Sequence, residues 1–190
     1  MNEAERVDYS LPLRNKSLEM PPTFGEPFHF TGDYETDKAD YLSKAVQAIK
    51  ILSTDDFNRW LFKNKRYFPG GTTGYFFIRR STEDRNVIVD FDCAINEGMF
   101  NVYGEDFTEL IPIDVLHELL ESWQVASRYQ YPEMVSPSAH FDGRVAELLY
   151  AIRNQLDQKY FEWVKKIGVS AQYEEELKRA HARALELLAQ

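Results

Sequence analysis

Apolar and polar positions alternate strictly across residues 87–95: Val87, Val89, Phe91, Cys93 and Ile95 fall on one side, Ile88, Asp90, Asp92 and Ala94 on the other. Period-two alternation over such a run predicts a half-buried strand. Segments 75–80 and 99–103, both rich in aromatic and β-branched residues, flank it. The polar connectors 81–86 and 96–98 have hairpin length, so the three segments predict an antiparallel meander. Elsewhere the period is helical. Leu42, Ala45, Val46, Ile49 and Leu52 form one stripe of a helix that starts at Thr36 or Asp37. Thr54 is placed to cap a second helix with Phe57, Trp60, Leu61 and Phe68 on its buried side, stopped by Pro69-Gly70-Gly71.

After the meander, Pro112 suits the first turn of a helix that buries Ile113, Leu116, Leu119, Leu120, Trp123 and Ala126. A long helix follows from Pro137 or Asp142. Its stripe runs through Val145, Leu148, Leu149, Ile152, Leu156, Tyr160, Trp163, Val164 and Ile167, and Gly168 serves as C-cap. Ser170 caps the last helix, whose Leu177, Ala180, Ala184 and Leu188 face inward, so the last two helices read as an antiparallel hairpin. Residues 1–35 carry six helix breakers and three phenylalanines, Phe24, Phe28 and Phe30. They read as an extended arm packed on the core, with a short edge strand near Phe28. The expected fold is α+β: two N-terminal helices, a three-stranded antiparallel meander, then three C-terminal helices packed on the sheet. A single domain is expected over 36–190 behind the arm.

Composition narrows the class. The lone Cys93 excludes an internal disulfide, fits a reducing compartment, and on an inward strand position packs as a small apolar residue. The acidic N-terminus lacks an apolar run, and no window reaches membrane-spanning length, so a cytoplasmic protein without a membrane anchor is expected. The glycines of 69–74 precede a strand and lack the lysine of a phosphate-binding loop, which leaves them a connector. The basic residues of 54–85 stand among acids in a chain of net charge −9, which argues against nucleic acid.

Two constellations could carry chemistry. Asp114, His117 and Glu121 share one side of a helix, and His117-Glu118-Leu119-Leu120-Glu121 has the outline of a zinc-protease helix. That motif needs a second histidine where Glu121 stands, and the other histidines, His29, His140 and His181, lie in different elements. Asp90 and Asp92 project from the same face of one strand and form the second candidate. Both read as solvated faces, and no cofactor or metal is expected.

The strongest signal is charge segregation. Residues 86–135 hold ten acids and one base, Arg128, which equals the whole net charge of −9. Such a surface suits a cationic partner. Small, acidic, aromatic-rich and without a catalytic signature, the chain is similar in general character to the immunity proteins that bacteria keep against secreted nuclease toxins. No family motif accompanies the similarity, so no residue role comes across with it. The reading is therefore a non-enzymatic binding protein, monomer or homodimer, that neutralises a basic protein through Asp90, Asp92, Glu105, Asp106, Glu109, Asp114, Glu118 and Glu121. Tyr103 and Tyr131 are the aromatic anchors in that reading. The alternative is a metal-dependent hydrolase using Asp90, Asp92, His117 and Glu121; a dimeric adaptor is the third.

Overall fold

The structure, a computed structural model, describes residues 28–64, 78–81, 87–91, 93–128 and 130–190, without the side chains of 63, 64, 78–81, 87–90 and 99. The arm up to residue 27, the glycine-rich connector and the carboxylates of Asp90 and Asp92 lie outside the described residues. The chain divides into two compact units, residues 1–98 and 99–190.

The first unit corrects the meander. Strands β3 (Ile78–Ser81) and β4 (Val87–Asp90) do pair antiparallel, but the second neighbour of β4 is β1 (Phe28–His29), in register Phe28↔Val89. The nine-residue alternating run breaks at Phe91. Its second half, β5 (Cys93–Asn96), leaves that sheet and pairs in parallel with β2 (Ile49–Leu52). Segment 99–103 is no strand at all but part of helix α3 (Gly98–Tyr103). Asn96 is the cause: its Oδ1 accepts from the Gly98 backbone N–H at 2.9 Å and satisfies one of the free donors at the helix start. Seven helices make the described chain mostly helical.

Helix α1 (Tyr34–Gln47) is capped earlier than expected, by Asp33, which accepts from the Thr36 N–H at 2.8 Å. It also ends earlier, because Ile49-Lys50-Ile51-Leu52 offers two β-branched residues in alternation and finds a strand partner in β5. Helix α2 (Thr54–Asn64) is capped by Ser53, which accepts from the Asp56 N–H and donates to its carboxylate. Phe57 and Ala94 are fully buried between these elements.

The second unit is helical throughout. After α3, a 3-10 helix (Glu105–Leu110) leads into α4 (Ile111–Ser127), with Pro112 in its first turn. Helix α5 (Ala139–Arg153) packs along α4 on one side and α7 (Ala171–Leu188) on the other. The small stripe Ala180 and Ala184 beside Leu177, all buried, is the side of α7 turned inward. The core is apolar: Leu110, Ile113, Leu119, Trp123 and Leu148 are all fully buried.

The long helix expected to run to residue 167 is two. Asn154 and Gln155 interrupt it, and α6 spans Asp157–Ile167, closed by Gly168 in the left-handed region as expected. Gln155 is the one described non-glycine residue with positive φ, at 58°. A left-handed L-residue costs about 1–2 kcal/mol, part of which glycine loses again to its freer unfolded chain. Gln155→Gly should therefore raise stability by about 0.5–1 kcal/mol in urea titration. A loss would mean that the Gln155 side chain holds the turn.

Among the described residues no helix is long and apolar enough to cross a membrane.

Candidate metal centre

Helical spacing sets the chemistry of the second unit. Residues 114, 117 and 121 share a side of α4, and 144, 147, 148 and 151 share a side of α5. Two of the latter are charged, Arg144 and Glu147, on the same stripe as the buried Leu148 and Ala151. Packing α5 along α4 therefore presses a charge pair onto a polar stripe, inside the bundle.

Glu147 is fully buried and is the hub. Its carboxylate accepts from His117 Nδ1 at 3.0 Å, from Arg144 Nη1 at 2.9 and 3.0 Å, and from Tyr160 Oη at 3.1 Å. Burial alone would protonate it, but His117 and Arg144 outweigh burial and hold it below the usual carboxylate range. Asp114 goes the other way. Burial first, then the neighbouring Glu147 charge, push its carboxyl well up, so it stands protonated and donates toward Glu147. Arg144 lies 4.6 Å over the Tyr173 ring, and the same surroundings raise the Tyr160 phenol well above its usual value, chiefly by burial. Gly143 makes room: a Cβ there would sit 3.0 Å from His117 Cε1 and Nδ1.

The other nitrogen of His117 faces outward into a second cluster. Nε2 lies 3.1 Å from Glu121 Oε1 and 3.3 Å from His140 Nδ1, and His140 Nδ1 lies 2.7 Å from the same Glu121 oxygen. Glu176 Oε1 on α7 lies 3.2 Å from His140 Nε2 and 3.7 Å from Arg144 Nε, yet this buried oxygen has no hydrogen-bond partner. Burial disfavours the imidazolium of His117, yet Glu121 and then Glu147 raise its pKa to about 10. Glu121 responds in kind: the hydrogen bond from His117, only partly opposed by burial, lowers it to about 2.

One nitrogen of each imidazole and one carboxylate oxygen thus form a triangle with edges of 2.7, 3.1 and 3.3 Å. Zinc held tetrahedrally at about 2.0–2.1 Å spaces its ligand atoms by about 3.3 Å, so the triangle is close to the base of such a site. His117 is hydrogen-bonded to the Glu147 carboxylate at its remaining nitrogen, which is how metal-bound imidazoles are usually fixed in tautomer and orientation. The second histidine that the α4 motif lacks comes from the first turn of α5.

The sequence-derived residues are dispersed. Tyr103 is buried and stacked on Trp163 at 4.7 Å, and Tyr131 is buried beside Trp123, so neither stands on the surface as an anchor. Asp114 and Glu121 belong to the network just described. Glu118 is half-buried, and burial raises its carboxyl above the usual value. Glu105, Asp106 and Glu109 are exposed on the 3-10 helix, where Lys159 pairs with Glu109 at 2.6 Å and Lys166 approaches Asp106 at 3.9 Å. Of the four residues assigned to a hydrolase, His117 and Glu121 do come together; the side chains of Asp90 and Asp92 are outside the described residues. His140, Glu147, Arg144, Tyr160 and Glu176 were missed. The pair Arg144/Glu147 could have been found as two charges on an apolar stripe; His140 and Glu176 carry no such signal.

Compared with protein-family models, with curated proteins and with solved structures, the chain matches none of them.

Proposed function

We propose that the unit of residues 99–190 is a divalent-metal centre, with His117 Nε2, Glu121 Oε1 and His140 Nδ1 as ligands and zinc as the ion best suited to them. One observation carries this reading: one nitrogen of each imidazole and one carboxylate oxygen converge within 3.3 Å, while His117 is held by Glu147 at its opposite nitrogen. Without an ion, the His117 and His140 nitrogens confront each other at 3.3 Å with a single carboxylate oxygen between them. A cation displaces the proton of His117 Nε2 and binds all three atoms at once. Two imidazoles and a carboxylate suit zinc or another late divalent ion better than magnesium or calcium, which prefer oxygen.

The test is thermal unfolding of the chelator-treated protein with zinc or cobalt added. At a hundredfold excess over its dissociation constant the ion should add about 2.7 kcal/mol. His140→Ala should abolish the gain; because that side chain is 54% exposed, the variant should still fold. Unchanged melting with both ions would refute the centre.

A second reading keeps one observation in its favour. Glu105 and Asp106 remain exposed, as a surface matched to a basic protein requires. If they meet such a partner, the association rate should fall steeply with added salt. A captured partner whose rate ignores salt would remove that reading.

A further inference from the structure

Resting on the metal reading, the geometry points to an open centre: we infer that the ion keeps a solvent-facing position that exchanges and takes an oxyanion, the carboxylate or phosphate oxygen of a substrate. The ligand count is the first argument. Structural zinc sites are closed by four protein ligands, whereas sites that act on substrates use three and leave a position free. Among the described residues three atoms converge, and Glu176 lies beside the far nitrogen of His140.

Exposure is the second argument. The three ligands grade from inside to outside: the side chain of His117 is 5% exposed, Glu121 30% and His140 54%. The triangle therefore has a protein side, closed by His117, Gly143 and Glu147, and a side toward solvent. The bundle also has apolar core residues apart from the site. Its core of Leu119, Trp123 and Leu148 is fully buried and apolar, unlike small domains that fold only on zinc.

Charge decides the class of ligand. A divalent ion with two neutral imidazoles and one carboxylate keeps a net positive charge. Glu147, the deepest neighbouring acid, is matched by Arg144, whose Nη1 donates to both of its oxygens. The free position therefore favours an anionic oxygen over a neutral one, and a carboxylate and a phosphate share that chemistry.

Visible absorption of the cobalt-loaded full-length protein reads this directly, because the bands follow coordination number and ligand exchange. Acetate and inorganic phosphate are titrated separately at constant ionic strength, with perchlorate as the control. The expected result is a saturable band shift with at least one of the two and none with perchlorate; the arm that saturates at lower concentration identifies the class. A cobalt spectrum that ignores both anions overturns the open position while leaving the metal centre intact. So does an anion response that appears only in Glu176→Gln, since it makes Glu176 the fourth ligand of a closed site. Absence of any cobalt spectrum sinks the metal reading itself.

Discussion

Glu147→Ala is expected to lower the unfolding free energy by about 3–5 kcal/mol, because removing one partner of a buried ion pair leaves the other charged and unsatisfied. The loss is larger than for an ordinary pair since four groups converge there. His117 Nδ1, Arg144 Nη1 and Tyr160 Oη all donate to this carboxylate, and protonated Asp114 leans on it as well. Glu147→Gln should lose less, for a reason that can be checked. Asp114 is held protonated by burial and by the Glu147 charge; with that charge gone, Arg144 and His117 favour its ionised form. Asp114 can then supply the missing anion. Asp114→Asn alone should therefore be mild, while Asp114→Asn combined with Glu147→Gln should exceed the two separate losses. Urea titrations of the four proteins measure the coupling. Additivity would show that Asp114 takes no part in the network. Glu186→Ala, which removes an exposed pair with Arg183, should stay within about 0.5 kcal/mol.

Helices α4 and α7 are legible in the sequence because each buries a stripe, and the caps at Gly168 and Ser170 are local signals. What fails is local pattern where two sheets compete. The 87–95 run alternates perfectly, yet pairing partners 44 or more residues away decide that its halves serve different strands. Short apolar segments such as 49–52 and 99–103 fit helix and strand alike, and Asn96, through one side-chain bond, decides the second of them. The same limit applies to the centre. His117 and Glu121 are neighbours on one helix and were legible as a pair; His140 and Glu176 join them only through packing of α5 and α7, which no spacing encodes. Counting charge along the chain also misleads. It treats Asp114 as surface when helical packing sets it beside the buried Glu147.

The acid–base behaviour of His117 separates the bare and the metal-loaded protein by the sign of their response to pH. In chelator the folded pKa of His117 is about 10, above the ordinary 6.5 of the unfolded chain. A raised pKa stabilises fully below the unfolded value, and the contribution disappears as pH rises through the folded one. Glu121 is lowered to about 2, so its contribution is present above about 4.5 and lost only as pH falls toward 2. Asp114, pushed up, has the same sign as His117: its contribution is lost as pH rises from about 3.8 through its raised folded value. Metal-free protein should therefore be most stable near pH 5–6 and weaken from about pH 6.5 to 10, by an amount on the order of 3 kcal/mol. The ion reverses the trend. It takes Nε2 in place of a proton, so binding releases that proton and the stabilisation by zinc grows as pH rises over the same window. Melting temperatures measured at matched pH, with chelator and with zinc, check both limbs. His117→Gln should flatten the alkaline limb of the metal-free curve and remove the zinc increment together. A metal-free curve that stays level from pH 6.5 to 10 would mean that His117 is neutral between Glu121 and Glu147, and that these carboxylates do not hold a proton on it.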